Sequence, residues 1–185
     1  MKVVETPLAG VIEVRPRRIA DQRGWFSETW NSRTFAEAGL AFDWVQDNES
    51  LSLAAGTVRG IHFQVPPNAQ DKLVRSVAGK IFDVAVDLRR SSATFGRWAG
   101  VQLDAEIGNQ LLIPKGFGHA FAALTDNCRV AYKVTSHYDA DTDRCIAWDD
   151  SEIGIDWPID TAAARVSEKD RLAPLLSDVE VQLFA

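Results

Sequence analysis

The sequence predicts an all-β protein of the jelly-roll or Greek-key barrel type, with a few short helices. Turn residues punctuate the chain at short intervals, among them Gly79, Gly96 and Gly108. Short runs rich in β-branched and aromatic residues lie between these turns, a spacing typical of sandwiches and barrels. Helical patterns are scarce, and the chain has no internal repeat, low-complexity tract or linker. We therefore expect residues 1–185 to form one domain.

Three segments are predicted to be strands, and the clearest is KIFDVAVDL at 80–88. Successive side chains point to opposite faces of a strand. One face of this strand therefore carries Phe82, Val84, Val86 and Leu88, and the other carries Ile81, Asp83, Ala85 and Asp87. The segment TVRGIHFQV at 57–65 has His62 in its middle, and the segment RVAYKVT at 129–135 carries Tyr132.

Two segments are predicted to form short helical turns. NSRTFAEAGL at 31–40 can begin at a cap, Asn31 or Ser32, and stop at Gly39. The tail after Ser167 begins with another short turn before Pro174.

Composition excludes several classes of function. The formal net charge of −6 argues against general nucleic-acid binding, although local cations can still attract an anionic small ligand. No run of 18 apolar residues is present, so no membrane span is expected. The opening residues MKVVETPLAGVIEV lack the layout of a signal peptide, which favours a cytoplasmic protein. In that compartment Cys128 and Cys145 are expected to be free thiols.

One turn motif points to a barrel mouth. GNQLLIPKGFGH at 108–119 has the spacing G-x5-P-x-G-x2-H, which resembles the second motif of the cupin superfamily. Such a strand, ending in a Pro/Gly turn, delivers His119 into the opening of a barrel. The competing interpretation is a tight turn that carries His119 incidentally.

The histidine count argues against a catalytic metal. Metal-binding cupins also have an H-x-H pair, whereas the corresponding segment here, RGIHFQ, has one histidine. Three histidines in the whole chain could supply a site of three or four ligands only with carboxylate help. We therefore expect no catalytic metal, and a barrel interior that performs acid–base chemistry instead.

Beyond this motif, the chain resembles the dTDP-4-dehydrorhamnose 3,5-epimerase family of cupin-fold enzymes almost from end to end. The segments that carry the resemblance are DQRGWFSETWN (21–31), WVQDNES (44–50), the long run from Gly56 to Leu103, LLIPKGFGHAF (111–121), YKVTSHYDADTDRCIAWDD (132–150) and SEKD (167–170). The resemblance implies a cupin-type jelly-roll barrel. It also implies that His62 is the catalytic base, Asp170 its carboxylate partner, Tyr132 the general acid and Lys72 the residue beside the C4 keto oxygen.

Enolate chemistry explains why these residue types are needed. A hydrogen next to a ketone is weakly acidic, so its removal requires a base and a positive charge at the developing oxyanion. Histidine titrates near neutral pH, and a carboxylate fixes its tautomer. A tyrosine hydroxyl can return the proton from the other face, and a nearby cation is expected to lower the pKa of Tyr132. Without the resemblance, His62 and Tyr132 would be interpreted as structural, and Lys72 and Asp170 as solvated charges.

The resemblance also implies substrate-holding residues and an assembly. Residues that match positions contacting the nucleotide sugar or supporting the site are Arg23, Glu28, Gln46, Asp47, Asn48, Arg59, His119, Asp143 and Lys169, and Tyr138 matches an aromatic that stacks on thymine. The family implies a homodimer with exchanged N-terminal strands, in which Arg23 and Glu28 would serve the partner's site. One conflict remains, since Arg59 and His62 lie on opposite faces of a regular strand. Either a bulge near Gly60 or a position of Arg59 at the barrel rim would resolve it.

The resulting hypothesis is a cofactor-independent epimerase that inverts C3 and C5 of dTDP-4-dehydro-6-deoxy-D-glucose to give dTDP-4-dehydro-L-rhamnose. Its nearest competitor is a 3-epimerase of a specialised deoxysugar pathway. The hypothesis also competes with a sugar-ketone isomerase on the same fold, a non-catalytic cupin that binds a nucleotide sugar, and a metal-dependent cupin dioxygenase.

Overall fold

The protein is described here by a computed structural model that covers residues 1–179 and 184. Its strands are β1 (Lys2–Glu5), β2 (Ile12–Arg15), β3 (Arg18–Asp21), β4 (Gly24–Ser27), β5 (Gln46–Ser52), β6 (Val58–Gln64), β7 (Lys72–Ala78), β8 (Lys80–Asp87), β9 (Trp98–Asp104), β10 (Gln110–Ile113), β11 (Phe117–Ala123), β12 (Cys128–Val134) and β13 (Asp143–Cys145). The helices are α1 (Ser32–Glu37) and α2 (Glu168–Arg171), with 3-10 turns at Thr161–Ala163 and Leu176–Asp178. The prediction of an all-β protein with a few short helices is confirmed.

Two antiparallel sheets form the body of the fold. One has six strands in the order β1-β2-β10-β7-β12-β5, and the other has five in the order β13-β6-β11-β8-β9. Strands β3 and β4 form a separate hairpin. The predicted strands at 57–65, 80–88 and 129–135 correspond to β6, β8 and β12, each within one residue at either end.

Alternation along β8 divides the core as predicted. Val84 and Val86 pack with Trp148 and Trp157 on the outer face of the five-stranded sheet. Ile81 and Ala85 point the other way, into a cluster between the two sheets that has members from both of them, including Val74, Leu111, Val130 and Phe121. The interior between the sheets is therefore apolar at one end, and the polar residues described below occupy the other.

The two helices begin at side-chain caps. The Asn31 side chain accepts hydrogen bonds from the backbone N–H groups of Arg33 and Thr34, which satisfies donors at the start of α1. Gly39 follows the helix with a φ of +77°, as expected for a stop signal. Ser167 caps α2 by accepting from the Asp170 backbone N–H. Among the described residues, no helix has the length and apolar character needed to cross a bilayer.

A bulge interrupts the pairing of β6 with β11. His62 lies opposite His119 and Arg59 lies opposite Phe121, so three steps along β6 match two steps along β11. The extra residue is Gly60, at a φ of +121°, which suits a bulge that only glycine enters easily. Arg59 and His62 consequently point to the same side. Of the two solutions that the sequence leaves open for this pair, the structure has the bulge.

Candidate active site

A cavity of about 350 Å³ lies between the sheets. Predicted site residues that line it are Gln46, Asn48, Arg59, His62, Lys72, His119, Tyr132, Tyr138, Asp143 and Lys169. They come from both sheets and from the segments around β13 and α2. Sequence reasoning missed further lining residues, namely Ser50, Phe63, Gln64, Gln70 and Phe121. The cavity is within the usual size range of small-molecule sites.

His62 and Asp170 form a close pair at the wall of this cavity. The His62 Nε2 atom lies 2.5 Å from Asp170 Oδ1, although the two residues are 108 positions apart. The His62 side chain is 34% exposed, whereas Asp170 is buried. Burial raises the pKa of Asp170, but hydrogen bonds from His62, Ser167 and the Gly60 backbone and the charge of His62 outweigh it, so the pKa is lowered. The result is an ionised carboxylate that orients an accessible imidazole.

Lys72 begins β7 and is buried against the same wall. Its ammonium group donates a hydrogen bond to the His62 carbonyl at 3.3 Å. Burial lowers the pKa of Lys72 to about 8, while the charges of Asp143 and Asp83 act in the opposite direction. Lys72 is therefore mostly charged at neutral pH and begins to lose its proton only just above it.

Tyr132 faces the cavity from β12, in the opposite sheet from His62. Burial raises the pKa of its hydroxyl, and the lowering effect of Arg59 is smaller. The nearby cation, Arg59, acts in the expected direction, but desolvation of the phenolate outweighs it, so the expected net lowering of this pKa is wrong. Tyr132 stays protonated at neutral pH and can donate a proton.

A second histidine–carboxylate pair lies deeper in the cavity. His119 Nε2 is 2.8 Å from Asp83 Oδ1, and both side chains are buried. Burial raises the pKa of Asp83 and lowers that of His119. Asp83 was not among the predicted site residues. The sequence did contain a signal for Asp83, since an acidic residue interrupts the apolar strand 80–88 on the face that carries Ile81 and Ala85.

A polar network lies at the cavity rim. Lys169 Nζ is 2.5 Å from Asp143 Oδ2, and the Tyr138 hydroxyl donates to the same oxygen at 3.3 Å. The Tyr138 backbone N–H donates to Gln46 Oε1, and Gln46 Nε2 donates to Asn48 Oδ1. Tyr138 is 62% exposed, so its ring is available to a planar ligand at the entrance.

Arg59 is held across the gap between strands β6 and β5. Its Nη2 atom donates to the Leu51 carbonyl at 2.9 Å, and its Nε atom donates to Ser52 Oγ at 3.3 Å. These bonds keep the guanidinium at the cavity beside the edge strand β5.

Four predicted site residues do not line the cavity within this chain: Asp170, which is buried against His62, and Arg23, Glu28 and Asp47. Arg23 is in the β3–β4 hairpin, where it pairs with Asp21 and is 85% exposed. Glu28 accepts hydrogen bonds from Asn31 and Thr34 next to α1. Asp47 alternates with Asn48 along β5, so it points to the other face of the sheet, where it pairs with Lys133.

The histidines of the cavity are bonded to carboxylates rather than grouped for metal coordination. His62 contacts Asp170, and His119 contacts Asp83. Within residues 1–179 and 184, no three side chains of histidine, cysteine, aspartate or glutamate are grouped as a metal site would require.

Comparisons with known proteins agree with this architecture. A family model described as dTDP-4-dehydrorhamnose 3,5-epimerase matches residues 5–178. The dTDP-4-dehydrorhamnose 3,5-epimerase of Methanothermobacter thermautotrophicus is 48% identical over 171 residues, which cover 92% of this chain and 91% of the relative.

Solved structures extend the comparison to three dimensions. The dTDP-6-deoxy-D-glucose-3,5-epimerase of Legionella pneumophila, in complex with dTDP-4-keto-L-rhamnose, has a TM-score of 0.93 and 38% identity, covering 99% of this chain and 96% of that one. A 3'-monoepimerase from Streptomyces bikiniensis, in complex with dTDP-quinovose, has a TM-score of 0.85 and 35% identity, covering 94% and 88%. The barrel is thus of the cupin type found in these enzymes, and the chain belongs to the dTDP-4-dehydrorhamnose 3,5-epimerase family.

Proposed function

We propose that this enzyme inverts C3 and C5 of dTDP-4-dehydro-6-deoxy-D-glucose and releases dTDP-4-dehydro-L-rhamnose for dTDP-L-rhamnose biosynthesis. The observation that carries the proposal is the placement of a base and an acid in opposite sheets. His62 faces the cavity from β6, and Tyr132 faces it from β12. Inversion of a carbon centre needs a proton removed on one face and returned on the other, which this arrangement supports.

The first step is proton removal by His62. C3 and C5 both flank the C4 ketone, so the loss of either hydrogen gives an enolate with its charge on O4. Asp170 accepts the Nε2–H of His62 at 2.5 Å, which leaves Nδ1 as the basic nitrogen and stabilises the imidazolium that forms. The buried Lys72 ammonium supplies the positive charge for the enolate oxygen.

The second step is protonation by Tyr132 from the opposite side. The raised pKa of this hydroxyl suits the role, because the proton is present at neutral pH. Two such rounds, one at each carbon, need no redox carrier, since no electrons are gained or lost. Because the Lys72 ammonium supplies the positive charge at the enolate oxygen, we propose that the enzyme works without a metal or other cofactor.

The rim and the inner wall are proposed to hold the nucleotide sugar. Arg59 offers a planar fork to a phosphate oxygen, and Lys169 and Gln46 offer donors beside it. The exposed Tyr138 ring is proposed to stack on thymine. Asn48, His119 and Asp143 remain available for sugar hydroxyl groups inside the cavity.

Isotope exchange tests the activity. The protein is incubated with dTDP-4-dehydro-6-deoxyglucose in D2O, without metal or nicotinamide, and the sugar is examined by NMR. Deuterium at C3 and C5 with inverted configuration supports the 3,5-epimerase, and deuterium at C3 alone supports a 3-epimerase. Binding without exchange at either carbon would indicate a nucleotide-sugar-binding protein and contradict the proposal.

We also propose that the active form is a homodimer in which the N-terminal hairpin serves the partner's site. Ile19, Trp25 and Phe26 of the β3–β4 hairpin are exposed, Phe26 at 69%. Exposed apolar patches of this kind mark protein–protein contacts. A partner would cover them and bring Arg23 and Glu28, which lie outside the cavity of their own chain, to the second cavity.

Mixing two inactive variants tests the exchange. His62→Ala keeps Arg23, and Arg23→Ala keeps His62, so a mixed dimer has one complete site only if Arg23 acts across the interface. With random reassociation, half of the dimers are mixed, and about a quarter of wild-type activity should return. Mixtures that stay inactive although mass spectrometry detects mixed dimers would refute the exchange. A cytoplasmic location is part of the same proposal and is tested by cell fractionation.

A further inference from the structure

Gln64 is a buried amide side chain for which the proposed reaction has no direct use. It is the last residue of β6, two positions after His62, and only 3% of its surface is exposed. Its side chain nevertheless lines the cavity. An amide can donate two hydrogen bonds and accept two, and leaving these unmade in an interior costs free energy. The partners of Gln64 therefore indicate its role.

The Gln64 side chain is bonded to the backbone of two loops beside the cavity. Its Nε2 atom donates to the Asn68 carbonyl at 2.7 Å and to the His137 carbonyl at 3.1 Å. Its Oε1 atom accepts from the Asp139 backbone N–H at 2.8 Å. Two of these three hydrogen bonds join the residues directly before and directly after Tyr138.

Gln46 holds the backbone of Tyr138 from the other sheet. Its Oε1 atom accepts from the Tyr138 backbone N–H at 3.0 Å. Gln46 belongs to β5 of the six-stranded sheet, whereas Gln64 belongs to β6 of the five-stranded sheet. Three consecutive backbone polar groups, from the His137 carbonyl to the Asp139 N–H, are therefore bonded to side chains of the two main sheets.

The Tyr138 ring has little to hold it apart from this backbone. Tyr138 is 62% exposed, and among residues 1–179 and 184 its hydroxyl makes one hydrogen bond, to Asp143 Oδ2 at 3.3 Å. The position of the ring is thus set mainly by the peptide groups on either side of it. A ring that is in place before the ligand arrives loses less freedom on binding, which improves affinity.

We propose that Gln64 is a positioning residue that acts through Tyr138, because it fixes the backbone on both sides of that residue and so places the ring for stacking on the nucleotide base. The inference rests on the proposed function, since the stacking of Tyr138 is part of it. The hydrogen bonds of Gln64 and the order of the Tyr138 backbone depend neither on turnover nor on a ligand.

NMR of the unliganded enzyme tests the order of this backbone first. The chain has only two tyrosines, Tyr132 and Tyr138, so 15N-labelled tyrosine gives two backbone amide signals, and Tyr138→Phe assigns them. We expect an order parameter of about 0.85 for both amides in the wild type. Gln64→Met keeps the length of the side chain but none of its hydrogen bonds, so the Tyr138 value should fall toward about 0.6, while Tyr132 in β12 serves as the internal reference.

Two NMR results would overturn the proposal. One is an order parameter below about 0.6 for the Tyr138 amide in the unliganded wild type. The other is an unchanged Tyr138 value in Gln64→Met. The first needs only the wild type, so it applies even if Gln64→Met does not fold.

A double-mutant cycle with dTDP then tests whether Gln64 acts through the ring. Tyr138→Ala removes the stacking surface and should weaken dTDP binding, measured by calorimetry, about tenfold. Gln64→Met should weaken it about two- to tenfold, as expected when one side chain must be ordered on binding. In the Tyr138→Ala background, Gln64→Met should have no further effect. An equal loss of affinity in both backgrounds would overturn the proposal, because Gln64 would then act independently of the ring.

Steady-state kinetics separate positioning from partial unfolding. The base lies far from the reacting carbons, so its contacts are the same in the ground state and the transition state. Gln64→Met should therefore raise KM and leave kcat within about twofold. A partly unfolded variant would instead lose kcat at an unchanged KM, and that result in Gln64→Met would contradict the proposal.

Asn109→Leu is the matched control for the loss of a buried amide. Asn109 is 4% exposed and also makes three hydrogen bonds, to Glu13 Oε1, the Asp104 N–H and the Gln102 carbonyl. It does not line the cavity. This variant should lose stability, as Gln64→Met does, but keep the wild-type affinity for dTDP and the wild-type KM.

The outcomes distinguish the two proposals. If the wild type shows no isotope exchange, the proposed function fails, while the NMR measurement and the dTDP cycle still decide the role of Gln64. If the wild type is active and either Tyr138→Ala or Gln64→Met leaves dTDP affinity unchanged, the role of Gln64 is refuted and the activity stands.

Discussion

Replacing Gly60 by alanine should destabilise the protein more than any ordinary glycine replacement in a turn. A Cβ atom added at Gly60 would lie 2.5 Å from the Ala120 Cβ atom, 2.6 Å from its Cα atom and 2.6 Å from the His119 carbonyl oxygen. Two of these atoms are backbone, so they cannot rotate away. The φ of +121° adds a second cost, because side chains rarely adopt it.

The expected loss of stability is the sum of the steric cost and the backbone cost. Overpacking against a rigid neighbour costs about 1–3 kcal/mol, and the backbone conformation costs about 1–3 kcal/mol. Gly60→Ala should therefore lower the free energy of unfolding by roughly 2–6 kcal/mol. Gly56→Ala isolates the backbone term, because Gly56 has a φ of +76° and nothing lies within 4 Å of an added Cβ atom. Its cost should be only about 1–2 kcal/mol.

Urea unfolding at matched protein concentration measures both variants. Equal concentrations are needed because a dimer gains apparent stability by mass action. If Gly60→Ala and Gly56→Ala lose the same stability within error, the steric part of the reasoning is refuted. Turnover, measured where both are folded, should fall in Gly60→Ala alone, because the bulge aligns Arg59 with His62 and the Gly60 backbone also bonds to Asp170.

Other perturbations act on the chemistry or on stability. His62→Ala should reduce turnover by about 10²–10⁴-fold, the contribution of a general base, with an unchanged circular dichroism spectrum; near-wild-type turnover would exclude His62 as the base. In D2O, Tyr132→Phe should still incorporate deuterium through His62 on its own face of the sugar, whereas formation of the inverted product should fall about 10²-fold or more. An equal loss of deuterium incorporation and of inverted product would contradict separate roles for the two residues. Asp87→Asn should lower the free energy of unfolding by about 1–3 kcal/mol at pH 7. The loss should be smaller below about pH 4, because the hydrogen bonds to Asp87 lower its pKa and stabilise the fold only where the carboxylate is ionised. Urea unfolding at pH 7 and at pH 3 measures both losses. Prolonged treatment with a chelator should leave turnover unchanged, and a loss restored by a divalent metal would revive a metal-dependent mechanism.

Local features of the fold could be predicted well from the sequence. The alternation in 80–88 places Val84 and Val86 on one face and Ile81 and Ala85 on the other, as the two core clusters confirm. The stop at Gly39 was likewise predictable, and the cap was narrowed to Asn31 or Ser32, of which the structure has Asn31, because a turn or a cap depends on residues only a few positions away.

Features that depend on pairing between distant strands could not be predicted from the residues alone. The His62–Asp170 contact joins positions 108 apart, and only the family resemblance brought them together beforehand. The bulge was one of two open solutions for Arg59, because its register is set by β11. The pKa direction of Tyr132 was wrong because burial, which outweighs the nearby cation, is not visible in the neighbouring sequence.

One set of cavity residues lies within the strands and another lies outside the sheets, and this separation bears on how such an enzyme can change its substrate. His62, Lys72, His119 and Tyr132 all lie within strands of the two main sheets. Tyr138 and Lys169 lie outside those sheets, in a loop and a short helix at the entrance. Under the proposed roles, mutations at the entrance should alter which nucleotide is held without disturbing strand register, whereas mutations among the strand residues should change the proton-transfer chemistry itself. New substrates should therefore arise by rebuilding the entrance around an unchanged proton-transfer centre.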